Sequence, residues 1–127
     1  MAISRVMHEL MTLEALVKEV HWNSQGAGFI SVHRYLDEVY ETCEEYIDEI
    51  AEHLVAYEGK KPQWHSMRYH FYGETWQSGV EQILQRIVRI IHIIGDIEDV
   101  HRDAEDILVR LSQALHKHGW FLDAEVS

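Results

Sequence analysis

The sequence predicts an all-α protein, a bundle of four helices in which a long connection separates the second helix from the third. Four stretches carry apolar residues at spacings of three and four, the period of a helix buried on one face. One proline and seven glycines among 127 residues leave few positions at which such stretches would be interrupted. A chain of this length supports a single core, so we expect one domain over residues 1–127.

The four predicted helices cover residues 4–20, 31–57, 79–97 and 102–121. Gly26 and Gly28 break the pattern after the first helix, and Gly59 and Pro62 end the second. Residues 60–78 follow no period and are rich in aromatic side chains, which predicts an ordered loop with room for one short helix. The predicted core consists of the periodic apolar positions: Ile3, Val6, Leu10, Leu13, Val17, Val20, Leu36, Val39, Cys43, Tyr46 or Ile47, Ile50, Leu54, Tyr57, Val80, Ile83, Leu84, Ile87, Val88, Ile90, Ile91, Ile94, Ala104, Ile107, Leu108, Leu111, Leu115 and Leu122.

Composition excludes several classes of protein. Eleven basic against twenty-two acidic residues give a net charge of −11, which argues against a protein that binds nucleic acid by neutralising phosphates. The single cysteine, Cys43, excludes an internal disulfide framework and suits a reducing compartment. The most apolar stretch, 83–97, is interrupted by five polar residues and does not predict a membrane span. With no apolar signal core in the first residues, we expect a cytoplasmic protein.

The second predicted helix carries a strip of potential metal ligands beside its apolar face. At about 100° per residue the strip spans roughly 100° of the helix. Its members are His33, Asp37, Glu41, Glu44, Asp48 and Glu52. Histidine and carboxylates together suit iron, zinc or manganese. The alternative is a solvated acidic face without chemistry.

Distance decides how a metal site on this strip could be built. Asp37 and Asp48 are separated by roughly 16 Å along a helix, and His33 and Glu52 by roughly 28 Å, at about 1.5 Å per residue. Metal–ligand bonds measure about 2 Å, so these residues cannot share an ion within one chain. Two copies of the helix crossing antiparallel about a two-fold axis would place 37 opposite 48 and 33 opposite 52. The axis would pass near residues 42 and 43, and each dimer would hold two identical sites.

His21, twelve residues before His33, lies in the predicted turn ahead of the second helix, where a helix cap or a packed ring is the alternative. The stretch from His21 to Glu41, together with the stretch 46–52, resembles the Dps miniferritins, the DNA-protection proteins of the ferritin-like superfamily. Their ligand pattern H-x11-H-x3-D-x10-D-x3-E is matched at every position, by His21, His33, Asp37, Asp48 and Glu52. The family's tryptophan after the first histidine is Trp22, and the segment 118–124 resembles its closing W-x-L-x-A pattern.

The resemblance implies a ferritin-like four-helix bundle that oxidises and stores iron. The ligands would come from both chains of a two-fold dimer and hold two irons, although zinc or manganese would suit the same donors. Hydrogen peroxide, or O₂, would oxidise Fe²⁺, and ferric mineral would collect inside a shell of twelve subunits. Trp22 would stand close enough to the iron to be oxidised. Such a protein would be a ferroxidase that protects the cell from oxidative damage.

Two features depart from the family. There is no lysine- or arginine-rich tail, which together with the charge of −11 argues against DNA binding. The family's glycine-containing turn before the last helix is absent, and acidic residues occupy that region. The resemblance implies that acids there line pores for Fe²⁺, or they are simply acids at a helix N-terminus. These candidates are Asp96, Asp99, Asp103 and Asp106, and the candidates for an inward mineral-nucleating surface are Glu38, Glu45 and Glu49, with a solvated exterior as the alternative.

The remaining histidines match no ligand interval, and we expect them to be surface or packing residues: His8, His53, His65, His70, His92, His116 and His118. Glu98 and His101 form the single Glu-x-x-His pair, whereas a di-iron site within one chain needs two such pairs. A site of the 24-subunit ferritin type is therefore not supported. Two other functions stay open at this stage: a DNA-compacting module in which iron is incidental, and an acidic structural bundle without metal.

Overall fold

Each of the four apolar stretches forms a helix. The computed structural model of the chain describes residues 2–64, 69–98 and 100–127. Its helices are α1 (Ala2–Asn23), α2 (Phe29–Glu58), α3 (Trp76–Gly95) and α4 (Arg102–Val126). Helix α1 packs against α2 and α3, and α4 packs against the same two helices from the other side. The long connection joins α2 to α3, so the prediction of an all-α four-helix bundle is confirmed.

The core lies along the predicted apolar stripes. All six predicted positions of α1 are buried, and so are those of α2 as far as Leu54. Tyr57 was expected in this stripe and is 61% exposed, which makes that prediction wrong. Its ring stacks instead on the rings of His53 and His101, with centroids 5.1 and 5.4 Å away. On α3 the stripe is narrower than predicted, because Val88 is half exposed.

The first residue of α4 is the predicted one, and the other helix ends differ from the prediction by one to five residues. Helix α1 continues to Asn23, so His21 lies in its last turn and not in a loop before α2. Helix α3 begins three residues early, because the side chain of Thr75 caps it by accepting the N–H of Ser78 at 3.2 Å. It ends at Gly95, whereas α4 continues to Val126. The short helix expected between 60 and 78 is absent from the described part of that connection, which is irregular until Trp76.

The long connection is tied to the turn between α1 and α2. Backbone hydrogen bonds of 3.1 Å join Gln25 to Glu74 and to Trp76, and the indole N–H of Trp76 donates to the carbonyl of Ala27 at 2.8 Å. Gly28 lies against the Trp76 ring with φ of 87°, a backbone angle that favours glycine. The buried indole therefore holds the turn between α1 and α2, and the first histidine of the ligand pattern precedes that turn while the second follows it.

A buried ion pair joins α1 to α3. Glu9 is 4% exposed, and its carboxylate accepts the Nε–H of Arg89 at 3.2 Å with Arg86 3.7 Å away. A buried carboxylate is tolerated only when it is paired, so the two arginines offset the cost of burying the Glu9 charge. In the described part of the chain no helix is both long enough and apolar enough to cross a membrane.

Candidate metal centre

Three of the five predicted ligands meet where the end of α1 faces the start of α2. The rings of His21 and His33 have centroids 4.0 Å apart, and Nδ1 of His21 lies 3.3 Å from Oδ1 of Asp37. His33 and Asp37 are one helical turn apart on α2, so both project toward His21. Phe29 packs edge-on against the His33 ring at 5.2 Å and fixes its orientation. The cluster is open to solvent on one side, since the side chain of Asp37 is 51% exposed.

The chemistry of this cluster suits a divalent metal ion. Burial and the neighbouring His33 lower the pKa of His21, although Asp37 acts in the opposite direction. A neutral imidazole is the form that binds metal. Nδ1 of His21 is buried and has no hydrogen-bond partner among the described residues, because the contact with Asp37 is long and poorly aligned. An ion bound at that nitrogen, with ligands from beyond this chain to complete the site, would satisfy it.

A lysine lies at the edge of the cluster. Nζ of Lys18 stands 3.9 Å from Oδ1 of Asp37 and 4.0 Å from the centre of the Tyr40 ring. Lys18 precedes His21 by three residues on α1, which places both on the same face. The ammonium therefore compensates part of the Asp37 charge, and it would compete with a metal ion for the same oxygen.

Asp48 and Glu52 do not join the cluster within this chain. Helix α2 is continuous through both, so the rise of about 1.5 Å per residue separates Asp48 from Asp37 by roughly 16 Å. Glu52 lines a different pocket, at the end of α2 that faces the start of α4. Within residues 2–64, 69–98 and 100–127, no three His, Cys, Asp or Glu side chains form a group that could hold an ion. One chain therefore brings together His21, His33 and Asp37 and keeps the two distal acids apart from them.

Trp22 follows the first histidine of the pattern in the last turn of α1. Its side chain is 70% exposed, in contrast to the buried Trp76. The exposed indole faces away from the core of this chain and is available to an approaching partner.

The candidate pore and nucleation acids have different surroundings. Both carboxylate oxygens of Glu49 accept hydrogen bonds from Arg110, at 2.8 and 3.0 Å, whereas Glu38 and Glu45 are exposed. The same guanidinium donates to Asp106 at 3.1 Å. These hydrogen bonds from both acids raise the pKa of Arg110 above its ordinary value. Arg110 therefore compensates part of the charge of Glu49 and Asp106, whereas Glu38 and Glu45 are exposed to solvent.

The other candidate pore acids lie near the joint between α3 and α4. Asp96 caps the C-terminal end of α3, with its backbone N–H bonded to carbonyls of the last turn. Asp103 lies in the first turn of α4, with Oδ2 3.6 Å from Nδ1 of His101. Asp99 lies outside the described residues, and so does His65 among the histidines.

Two of the histidines that were expected to be surface or packing residues are buried in the bundle. His118 is 7% exposed, and its two ring nitrogens contact the hydroxyls of Tyr35 and Thr42 at 2.7 and 2.8 Å. His53 is 4% exposed, and in the described part of the chain neither nitrogen of its ring has a hydrogen-bond partner. The sequence carried a signal for both, since each follows a core residue by three positions (Leu115 and Ile50) and so lies on a buried stripe.

Comparison with known proteins identifies the family. The family model described as the ferritin-like domain matches residues 1–127. The DNA protection during starvation protein of Mycolicibacterium smegmatis is 30% identical over 128 residues, covering 90% of this chain and 69% of that protein. The protein of the same name from Streptococcus suis is 25% identical and covers 98% of this chain and 80% of its own length.

Solved structures agree with that assignment. The structure of Dps from Microbacterium arborescens in the high iron form superposes with a TM-score of 0.84 at 25% identity, covering 98% of this chain and 90% of that one. A Dps1 mutant from Mycobacterium smegmatis gives the same TM-score and identity, with 99% and 93% covered. The fold, the family model and these relatives agree, and the chain belongs to the Dps family of ferritin-like proteins.

Proposed function

We propose that this protein is a ferroxidase that oxidises Fe²⁺ at sites shared between two subunits and stores the ferric product. The observation that carries the proposal is the cluster of His21, His33 and Asp37 at one end of α2, with Asp48 and Glu52 farther along the same helix. Among the described residues, neither Asp48 nor Glu52 belongs to a group of three side chains that could hold an ion within one chain. A second copy of the chain supplies what each half lacks.

The positions of the ligands along α2 agree with a two-fold axis. In an antiparallel pair, residue 37 lies opposite residue 48 when the axis passes between Thr42 and Cys43, and residue 33 then lies opposite residue 52. Each dimer holds two sites, with His21, His33 and Asp37 from one chain and Asp48 and Glu52 from its partner. Assembly into a shell of twelve subunits from such dimers is the larger unit that we propose.

Iron is the substrate of this reaction, and the carboxylate and imidazole ligands bind it with different strength. The carboxylates of Asp37, Asp48 and Glu52 bind the ferric product strongly, whereas the imidazoles of His21 and His33 hold Fe²⁺ more loosely. Two Fe²⁺ ions supply the two electrons that convert one H₂O₂ and two protons into two water molecules. Hydroxyl radical is then not released, and we expect the exposed Trp22, which follows the ligand His21 in the chain, to be a target for any oxidant that escapes. Zn²⁺ or Mn²⁺ binds the same donors without this reaction.

The location and partners that we propose follow from charge and from the relatives. The relatives are named for DNA protection during starvation, and one is described in a high iron form. With a net charge of −11, this chain repels phosphates, so we propose protection through iron oxidation without DNA binding. The single, buried Cys43 suits the reducing cytoplasm.

Fe²⁺ titration with H₂O₂ tests the proposal. We expect the purified protein to accelerate the appearance of ferric absorbance and to keep the product in solution. His33→Ala and Asp48→Ala should each slow the reaction at least tenfold, whereas Glu81→Gln, an exposed acid on α3, should leave it unchanged. Oxidation no faster than in buffer, or equal rates in all four proteins, would contradict the proposal.

A further inference from the structure

Two large aliphatic side chains of α2 are left exposed by the bundle. Ile30, in the first turn of the helix, is 81% exposed, and Val55, in its last turn, is 56% exposed. The other valines, leucines and isoleucines of α2 are buried. A single exposed aliphatic side chain is common on protein surfaces, so exposure alone does not indicate a partner. The positions of these two along α2 do indicate one.

Both side chains lie in line with the proposed acidic ligands. Ile30 precedes Asp48 by 18 residues, and Val55 follows Asp37 by the same number, which is about five turns of 3.6 residues. Each aliphatic side chain therefore projects from the same side of α2 as one of these carboxylates. The strip of ligands begins and ends with an exposed aliphatic residue.

The two side chains cannot meet within one chain. Helix α2 is continuous between them, and a rise of about 1.5 Å per residue separates them by roughly 37 Å. In the antiparallel pair that places residue 37 opposite residue 48, residue 30 lies opposite residue 55. The two-fold axis of the proposed shared site therefore also brings Ile30 of one copy to Val55 of the other.

The acidic residues of the strip do not by themselves select this register. Glu41 and Glu44 are exposed and would lie opposite each other near the axis, where like charges repel. If one copy of α2 slipped by three or four residues, Ile30 would lie opposite Glu52 or opposite residue 59, beyond the end of the helix. An aliphatic side chain gains most when it is buried against another aliphatic side chain. Of these three registers, the one that assembles the shared site is the one that covers Ile30 and Val55.

We infer that Ile30 and the partner's Val55 form an apolar contact that sets the register of the two-fold pair, with one such contact at each end. The inference rests on the proposed function, because it uses the geometry of the shared site, and it adds the residues that select this geometry. His33 lies one turn inside Ile30, and Glu52 lies one turn inside Val55, so the contact separates the outer end of each site from bulk water. Ile30 and Val55 are positioning residues, since they do not bind iron and act through the ligands that they align.

Sedimentation velocity of charge-exchanged variants, in protein without metal, tests the inference. Ile30→Glu and Val55→Lys should each weaken the association of the pair at least about tenfold, because a charge without a partner is costly to bury. In the double variant Ile30→Glu/Val55→Lys each carboxylate lies opposite an ammonium of the other copy, and association should return to within about tenfold of the wild type. The fold of the chain should tolerate both substitutions, since the side chains are exposed and the new charges suit the helix ends where they lie.

The matched control is Val109, a valine of α4 that is 49% exposed. Val109→Lys should leave association unchanged, and Ile30→Glu/Val109→Lys should associate as weakly as Ile30→Glu alone. Circular dichroism should show the same helix content in every variant, so that weaker association is not a consequence of unfolding.

The result that would overturn the inference is specific to the pairing of the two residues. If the single substitutions leave association unchanged, or if Ile30→Glu/Val55→Lys associates no better than the single variants, residue 30 does not face residue 55. Iron oxidation by the wild type would survive that result. A wild type that associates through these residues and does not oxidise iron would contradict the proposed function alone.

Discussion

His118 joins α2 to α4 through both nitrogens of its ring. Its contacts with Tyr35 and Thr42 are short. Phe121, about one helical turn farther along α4, stacks on the Tyr35 ring at 3.9 Å. A neutral imidazole has one donor and one acceptor nitrogen, and each hydroxyl can serve either, so the neutral ring satisfies every group. Burial lowers the pKa of His118, with Glu38 acting in the opposite direction.

The lowered pKa of His118 predicts a loss of stability in acid. Below about pH 6.5 the unfolded chain binds a proton that the folded chain does not bind. The free energy of unfolding therefore decreases as the pH is lowered, by up to about 1.4 kcal/mol per pH unit. His118→Gln should reduce stability at pH 8, through its lost hydrogen bonds, and should make the fall below pH 6.5 shallower. Denaturant unfolding between pH 5 and 8 measures both, with the exposed His116→Gln as control. Equal slopes in the wild type and His118→Gln would contradict this reading.

At the proposed site, Lys18 would compete with a metal ion for Asp37, because its ammonium lies 3.9 Å from the carboxylate. Lys18→Met keeps the length of the side chain and removes the charge, so we expect Zn²⁺ to bind the inter-subunit site about two- to tenfold more tightly, the modest effect of a partly exposed pair. Calorimetric titration measures the affinity, and Lys117→Met, an exposed lysine on α4, should not change it. Weaker binding in Lys18→Met would instead show that the ammonium holds Asp37 in place.

At the scale of the elements, Gly79 sets how closely α3 approaches α1. A Cβ at this position would lie 2.6 Å from Cγ1 of Val20 and 3.3 Å from the ring of Phe71. Val20 is fully buried and has one strongly preferred rotamer in a helix, so it cannot move aside without cost. The crossing of the two helices therefore depends on the missing side chain.

Gly79→Ala should lower the free energy of unfolding by about 1–3 kcal/mol, since overpacking outweighs the gain in helix propensity of about 1 kcal/mol. Adding Val20→Ala to Gly79→Ala should cost less than Val20→Ala costs in the wild type, because the smaller side chain frees the space. Gly95→Ala is the control: nothing lies within 4 Å of its would-be Cβ, and we expect no loss of stability. Denaturant unfolding provides all four values, and additive effects of the two substitutions would exclude the contact.

The elements themselves were largely predictable, and their ends were not. Periodic apolar residues such as Leu10 and Ile83 indicate both that a helix forms and which face is buried. The start of α3 depends on Thr75 and on Trp76, whose indole is bound to a distant turn. Tyr57 keeps the helical period and still lies outside the core, because it stacks on two histidines that the period alone does not reveal. The start of α3 and the position of Tyr57 therefore depend on long-range contacts, which the local sequence pattern does not reveal.

At the scale of the whole molecule, the candidate site was predictable from intervals, since residues one turn apart must share a face. His33 and Asp37 do so, and His21 comes to meet them from α1. The proposed contribution of Asp48 and Glu52 involves a second chain, and neither the helical period nor the composition describes how two chains pack. Because α2 is continuous, the shared site stays a prediction with a definite geometry, in which two copies of α2 cross antiparallel.

Mixed dimers test that geometry directly. His33→Ala damages the imidazole half of a shared site and Asp48→Ala the acidic half, so in a dimer of the two variants one site carries both defects and the other carries none. Unfolding the two variants together at equal concentrations and refolding them should give about half mixed dimers by random pairing, and hence about a quarter of the wild-type sites and of the wild-type oxidation rate. Each variant refolded alone should stay at least tenfold slower than the wild type. If both ligand sets acted within one chain, mixing would restore nothing, and the shared site would have to be abandoned.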